Sequence, residues 1–167
     1  MVFIGLGSNL VSQTYGPPKN ILNSVLREIS SADCKIIRKS SWYQSAPIPA
    51  SPQPWFINGV AEVATQLPPK NLLSLMHQLE ERFGRLRSVR NASRTIDLDL
   101  LDYDGQLSSG ASGPILPHPR LHQRAFVLLP LKEIAPGWID PRTGQPIQVL
   151  IDNLPGEQEC HRIINLD

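Results

Sequence analysis

The chain has 167 residues, a hydrophobic content of 41% and a formal net charge of +1. This length fits one domain over residues 1–167 with a sizeable core, and the composition excludes an intrinsically disordered chain. No apolar run reaches membrane-spanning length, and Cys34 and Cys160 are too few and too far apart to indicate a zinc site or a disulfide framework. We therefore expect a reduced, cytoplasmic setting and no membrane association.

Hydrophobic periodicity predicts the elements of the first third. Val2 to Leu6 is a short apolar run typical of a buried strand, and the residues from Gly5 to Asn9 indicate a tight turn after it. A phosphate-binding loop is the less favoured interpretation, because the Lys-Ser/Thr pair of the P-loop is missing. The next elements are a helix after Pro17-Pro18, a strand from Cys34 to Ser45, a loop from Ala46 to Pro54 and a strand from Phe56 to Thr65.

Phe56 and Asn58 share one face of the last of these strands. An aromatic ring and an amide at one strand end suit a flat heterocycle, which the ring can stack on and the amide can hydrogen-bond. From these residues alone, an ordinary edge aromatic beside a turn asparagine is the favoured interpretation.

A helix after Pro68-Pro69 leads into a strongly basic segment. The helix ends at Gly84, and His77 and Glu80 lie off its apolar stripe, on a face that we expect to be solvated. From Arg82 to Arg94 the chain carries five arginines and no acid. Such a cluster indicates an anionic partner.

Strict alternation from Ile96 to Leu101 predicts a strand. Side chains two positions apart on a strand share a face, so Asp97 and Asp99 should point the same way, about 7 Å apart. Carboxylates at this spacing repel each other unless a cation lies between them, and Mg²⁺ takes oxygen ligands of this kind. A magnesium site is therefore favoured over a solvated strand face. Asp102 and the turn residue Asp104 have the other parity and are assigned no chemistry.

The segment Leu116-Pro-His-Pro-Arg120 leads into a helix predicted from Leu121 to Leu129. Arg120 and Arg124 are four positions apart and should share one face of it. His118 is held between two prolines. A phosphate contact beside the arginines and a purely structural role are equally favoured for this histidine.

Six motifs now stand in an order typical of one family. They are Gly5-Leu-Gly-Ser-Asn9, Tyr43-x-Ser-x-Pro47, Phe56-x-Asn58, Glu80-x3-Gly-Arg85-x-Arg87, Arg94-Thr-Ile-Asp-Leu-Asp99 and Leu116-Pro-His-Pro-Arg120-x3-Arg124-x-Phe126. From Val2 to Pro136 the chain resembles the 6-hydroxymethyl-7,8-dihydropterin pyrophosphokinases. The resemblance implies an α+β fold, a ferredoxin-like antiparallel sheet with helices packed on its faces. It also implies Mg²⁺-dependent transfer of pyrophosphate from ATP to the pterin hydroxymethyl group, with release of AMP, in tetrahydrofolate biosynthesis.

The same resemblance implies a role for individual residues. Asp97 and Asp99 match the ligands of two Mg²⁺ ions, and together with Arg85 and Arg94 they would be the catalytic residues. The pterin-binding positions are Ser45, Ala46, Ile48, Phe56, Asn58 and Phe126. The ATP-contacting positions are His77, Glu80, Arg85, Arg87, Arg94, Leu100, His118, Arg120 and Arg124. This set suits the chemistry, because phosphoryl-type transfer depends on positioning and on charge neutralisation.

One departure and two alternatives accompany the resemblance. Asn91-Ala-Ser93 stands where family members usually have an aromatic residue, glycine and proline. Closure of the arginine loop, the predicted loop that carries Arg85, Arg87 and Arg94, is therefore expected to differ. A nucleic-acid-binding module would also use the arginines, but paired acids beside them would repel a phosphate backbone. A nucleotidyltransferase would use the same acid pair. We expect ATP and the pterin as partners, other folate-pathway enzymes as further candidates, and no nucleic acid.

Overall fold

The structure is a computed structural model that describes residues 1–31, 33–84 and 95–164. Its strands are β1 (Val2–Ser8), β2 (Cys34–Lys39), β3 (Tyr43–Ser45), β4 (Phe56–Thr65), β5 (Asp97–Tyr103), β6 (Ser108–Ser109), β7 (Ile115–Leu116) and β8 (Cys160–Arg162). Its helices are α1 (Pro18–Ser31), α2 (Pro69–Arg82), α3 (Ala125–Ile134) and α4 (Ile147–Asp152), with a 3₁₀ turn at Leu121–Gln123 before α3.

The main sheet is antiparallel throughout. Its strand order is β5-β1-β4-β3-β8. Strand β2 also pairs with β4, at residues 61–65, whereas β3 pairs with residues 56–58. The chain order β1-α1-β2-β4-α2-β5 combined with the spatial order β5-β1-β4-β2 is the ferredoxin-like arrangement of two split β-α-β units. The expected α+β, ferredoxin-like fold is confirmed.

Helices cover both faces of this sheet. On one face, α1 and α2 pack on alternate residues of β1, β4 and β5, and the predicted apolar stripe of α1 is fully buried there. On the other face, α3 and α4 pack on Phe3, Val60 and Leu101 and cover only part of the sheet. The uncovered part of that face is where the candidate site lies. Within the described ranges, no helix is long and apolar enough to cross a membrane.

The first strand differs from its prediction. β1 continues through Gly5 and Gly7 to Ser8, with β4 on one side and β5 on the other. The tight turn predicted at these glycines is therefore wrong, and the less favoured alternative, a phosphate-binding loop, is not formed either. Glycine is rare inside strands. Here the missing side chains leave open space above β1, and the strand does not turn at these positions.

The strand predicted from Cys34 to Ser45 is two strands. It breaks at residues 40–42, where Trp42 turns into the core with 6% of its surface exposed. The indole lies on Gly59 of β4 so closely that a Cβ at this position would come within 2.7 Å of the ring. The break and the glycine therefore belong to one packing arrangement, in which the tryptophan needs bare backbone below it.

A bulge in β5 changes the parity of Asp102. Phe3 pairs with Asp102 and Ile4 pairs with Leu100, which leaves the residue between these two partners as an extra one. The Asp102 carboxylate accepts hydrogen bonds from Trp138 Nε1 at 2.7 Å and from the amide of Gly105 at 3.0 Å. The predicted parity is wrong beyond the bulge, and this acid anchors a buried indole. The turn predicted at Asp104-Gly105 is confirmed, with φ values of 51° and 67°.

The helix predicted from Leu121 to Leu129 is also interrupted. A 3₁₀ turn ends at Gln123, Arg124 is extended with φ −122° and ψ 109°, and α3 begins at Ala125. Arg120 and Arg124 therefore do not share a helix face. The extended residue instead turns its side chain toward the sheet.

Candidate active site

Two glycines form the floor of a cleft on the sheet face that α3 leaves uncovered. Gly7 pairs with Asp97 on one side and Asn58 on the other, and Gly5 pairs with Asp99 on one side. A Cβ at Gly7 would lie 3.1 Å from the Asn58 side-chain oxygen. These positions leave backbone alone between the acids of β5 and the amide of β4. The result is a cavity of about 220 Å³ bordered by both.

The paired acids of β5 lie at one end of this cavity. Asp97 and Asp99 both line it, as their shared strand face predicts. Asp99 Oδ2 accepts a hydrogen bond from Arg124 Nη1 at 3.2 Å, and its Oδ1 lies 3.7 Å from His118 Nε2. Burial lowers the pKa of the Arg124 guanidinium, and the nearby Asp99 carboxylate opposes that shift. The acid pair thus faces cationic and hydrogen-bonding side chains inside the protein.

His118 is oriented by its own backbone segment. Its Nδ1 accepts a hydrogen bond from the amide of Arg120 at 3.2 Å, which assigns the ring proton to Nε2 in the neutral form. Burial lowers the pKa of this imidazole; Asp99 raises it, and the Arg124, Arg120 and Arg142 guanidiniums lower it. The ring is therefore neutral near pH 7 and presents an N–H toward Asp99.

The donor set at this end suits a hard divalent cation. Carboxylate oxygens are the ligands that Mg²⁺ prefers, and it usually binds through one or two of them together with substrate phosphates and water. In the part of the chain that the structure describes, no group of three or more His, Cys, Asp or Glu side chains could hold a metal ion. An ion held by Asp97 and Asp99 would leave coordination positions open to phosphate and water.

The other end of the cavity is apolar with one polar edge. Phe56 and Phe126 line it from β4 and α3, and Ala46 and Ile48 line it from the loop after β3. Asn58 Nδ2 donates to Ser45 Oγ at 2.8 Å. Both of these polar residues are buried, at 4% and 2% exposure. The arrangement offers aromatic rings and a fixed amide to a flat ligand.

Comparison with known protein sequences identifies the family. The model of the 7,8-dihydro-6-hydroxymethylpterin-pyrophosphokinase family matches residues 3–136. The chain belongs to this family. It is 40% identical over 153 residues to a 2-amino-4-hydroxy-6-hydroxymethyldihydropteridine pyrophosphokinase of Synechocystis sp., covering 90% of this chain and 74% of that protein. It is 34% identical over 166 residues to the enzyme of the same name from Haemophilus influenzae, covering 99% of this chain and 97% of that one.

Some relatives in this family are much longer. The chain is 36% identical over 163 residues to a folic acid synthesis protein of Dictyostelium discoideum. That match covers 98% of this chain but only 24% of the relative. The pyrophosphokinase family sequence thus also occurs as one portion of longer proteins.

Three of the ATP-contacting positions implied by family resemblance lie away from the cavity. Leu100 is 3% exposed in the core under α1 and α2. Glu80 is fully buried, and its Oε1 accepts the amide of Leu98 at 2.7 Å. His77 is half-buried on the same helix as Glu80. The solvated face expected for this helix is therefore wrong at Glu80, because its buried carboxylate accepts a hydrogen bond from the Leu98 amide of β5.

The remaining ATP-contacting positions divide between the cleft and the arginine loop. Arg120 and Arg124 line the cavity, and His118 lies beside Asp99. Arg85, Arg87 and Arg94, and the departure at 91–93, lie outside the described residues. The start of β5 is anchored nearby, because Ser8 Oγ donates to the carbonyl of Thr95 at 2.5 Å.

Sequence reasoning missed several contributors to the cavity, three of which matter for its shape. Gly5 and Gly7 form its floor, and their position inside an apolar run was the signal. Gln53 lines it from the proline-rich loop, and its Oε1 accepts a hydrogen bond from Asn9 Nδ2 at 3.0 Å. Asn9 Nδ2 also donates to the carbonyl of Pro54 at 3.0 Å. Asn9 therefore ties this loop to the end of β1, which explains an asparagine directly after the glycine motif.

Proposed function

We propose that this chain transfers the β,γ-pyrophosphoryl group of ATP to the hydroxymethyl oxygen of 6-hydroxymethyl-7,8-dihydropterin and releases AMP. One observation carries the proposal beyond family membership. A single cavity has paired acids at one end, aromatic and amide side chains at the other, and a floor of bare backbone between them. This geometry brings a phosphate-binding end and a heterocycle-binding end within the length of one small substrate.

The pterin occupies the apolar end in this proposal. Phe56 and Phe126 stack on the two faces of the flat ring, which buries both sides of it. Asn58 hydrogen-bonds its polar edge, held in place by Ser45, while backbone groups at Ala46 and Ile48 complete that edge. Stacking supplies affinity, and the fixed amide supplies selectivity that stacking cannot.

The phosphates occupy the acidic end. Asp97 and Asp99 would hold Mg²⁺, two ions by family resemblance, which would neutralise phosphate charge and lower the pKa of the attacking hydroxyl. Arg124, Arg120 and His118 lie at the same end and would bind phosphate oxygens. A carboxylate of the acid pair would accept the proton of the pterin hydroxyl.

The arginine loop completes the proposal. Arg85 and Arg94 balance the charge that develops during transfer, and Arg87 binds the ATP phosphates with them. Cationic groups of this kind stabilise a transition state in which charge spreads over the transferred and departing phosphates. His77, Glu80 and Leu100 stay predicted ATP contacts by family resemblance alone, because they are not among the residues that line the cavity.

Product analysis tests the proposal. Protein, Mg²⁺, ATP and the reduced hydroxymethylpterin are mixed, and the nucleotide products are separated. We expect AMP and a pterin diphosphate in equal amounts, with no free pyrophosphate. Release of pyrophosphate would mean nucleotidyl transfer, and release of ADP would mean transfer of one phosphoryl group; either result would refute the proposal.

A further inference from the structure

The first turn of α3 is capped by a side chain from far along the chain. Arg124, the residue before the helix, makes no capping hydrogen bond with its own side chain. Instead Gln158 Oε1 accepts the amide of Ala125, the first helical residue, at 2.9 Å. An exposed helix start normally finds such an acceptor within its own segment. Here the acceptor comes from the segment just before β8.

Gln158 also holds the chain on the other side of Arg124. Its Nε2 donates to the carbonyl of Gln123 at 2.9 Å and to the carbonyl of Pro155 at 3.2 Å. One amide group therefore brackets the extended Arg124 with hydrogen bonds to both neighbours. Arg124 lies within this fixed turn and Phe126 lies two residues later. Both residues line the cavity.

The next residue along binds the opposite wall of the cavity. The carbonyl of Glu159 accepts the amide of Ala46 at 3.0 Å, and Ala46 lies on the loop that lines the apolar end. Two consecutive residues thus join the loop after β3 to the start of α3. The separation between these walls determines the width of the slot into which Phe126 projects.

We propose that Gln158 is a positioning residue for the pterin-binding half of the cavity. It lies beyond residues 3–136, the part that matches the family model. The inference rests on the proposed function for its choice of ligand. Arg124 has a second anchor in its hydrogen bond to Asp99, whereas Phe126 is held by packing and by the helix start. Loss of Gln158 should therefore weaken pterin binding more than ATP binding.

The test compares three variants. Gln158→Ala removes all three hydrogen bonds. Gln158→Glu keeps an acceptor for the Ala125 amide, with a negative charge that favours a helix N-terminus, but loses the donor. Gln148→Ala is the matched control, because Gln148 also bridges α3 to the C-terminal part, through Lys132, at the far end of the helix.

Two readouts separate positioning from general stability. The first is amide hydrogen exchange at Ala125, which needs no activity; we expect about fivefold to tenfold faster exchange in Gln158→Ala than in the control. The second is calorimetric titration of the pterin with a non-reactive ATP analogue present. We expect the pterin Kd to rise about fivefold in Gln158→Ala, the ATP-analogue Kd to change less than twofold, and Gln158→Glu to recover most of the loss.

The outcomes are distinct. Unchanged exchange at Ala125 in Gln158→Ala would overturn the cap. An unchanged pterin Kd, or equal losses for pterin and ATP analogue, would overturn the positioning role. Equal effects of Gln148→Ala would reduce the result to general destabilisation and overturn it as well. A wild-type protein that binds no pterin would instead refute the proposed function, and the exchange measurement would still decide whether Gln158 fixes the start of α3.

Discussion

The Arg124 guanidinium lies 3.2 Å from the Asp99 carboxylate, and both side chains are less than a third exposed. A partly buried pair of this kind is costly to break, because the remaining charge loses its partner without regaining full hydration. The two acids of β5 share a face and a cavity. Asp99 contacts Arg124, the residue before α3, and lies beside His118. It would also contact a bound cation.

We predict that Asp97→Ala and Asp99→Ala both lose at least about a hundredfold in kcat. Asp99→Ala should also lose about 1–3 kcal/mol of unfolding free energy, because Arg124 is left without its carboxylate. Urea denaturation of the protein without ligands measures this loss. Circular dichroism showing that Asp97→Ala is unfolded would make this acid structural and contradict its role as a metal ligand.

Phe126→Ala should weaken pterin binding by about 2 kcal/mol or more, since it removes both buried area and ring stacking. ATP binding should change much less, because its phosphates are held at the acidic end. Calorimetric titration of each ligand, with a non-reactive ATP analogue when the pterin is added, gives the two affinities. Phe126→Tyr keeps the ring and serves as the control. Equal loss of both affinities would return Phe126 to the status of a packing residue of α3.

Glu80→Ala should destabilise the free protein by about 1–3 kcal/mol, because the buried Leu98 amide loses its acceptor at 2.7 Å. Glu80→Gln keeps a carbonyl oxygen in place and should recover a large part of the loss. Denaturant midpoints of the two variants measure the effect. If Glu80→Ala kept the wild-type midpoint and lost only ATP affinity, the residue would be a direct ATP contact rather than a support for β5.

Glu133 should give the stability curve a defined dependence on pH. Burial alone would raise the pKa of this carboxyl, but hydrogen bonds from Ser41 and Tyr43 and the nearby Arg162 guanidinium lower it overall. Burial and the hydrogen bond to Glu133 raise the pKa of Tyr43 to about 12. A carboxyl whose pKa is lower in the folded state stabilises the protein above its unfolded pKa and loses that contribution as the pH falls through the folded value.

Glu133→Gln should therefore be less stable than the wild type by a constant amount from about pH 7 to about pH 5, and the difference should shrink below about pH 4. Thermal or urea unfolding across this range measures it, with the exposed Glu81→Gln as control. A difference that grows as the pH falls would show that the sign of the shift is wrong.

Alternation and helical periodicity predicted the features that depend on the local pattern of side chains. The bounds of β4, Phe56–Thr65, agree with the prediction, and so do the buried stripe of α1 and the common cavity reached by Asp97 and Asp99. These features depend on residues two, three or four positions apart, which is the range over which a single sequence carries information.

Features created by contacts across the fold were not predictable in this way. The sequence predicts a turn at Gly5 and Gly7, because the side chains that need open space above these glycines are on β4 and β5 and not on β1. The sequence predicts a solvated Glu80, because the amide that donates a hydrogen bond to its carboxylate is on another element. Gln158 carries no local signal at all, since its partner, the Ala125 amide, becomes accessible only when α3 starts after an extended Arg124.

The most direct test of the account follows both transferred phosphates. ATP labelled separately at its β- and γ-phosphorus is incubated with the pterin, Mg²⁺ and the protein, and the labelled pterin is isolated. Pyrophosphoryl transfer predicts that both labels reach the pterin in a one-to-one ratio while unlabelled AMP is released, and that Asp97→Ala transfers neither. A pterin carrying the γ-label alone, or no label with ATP intact, would contradict the account.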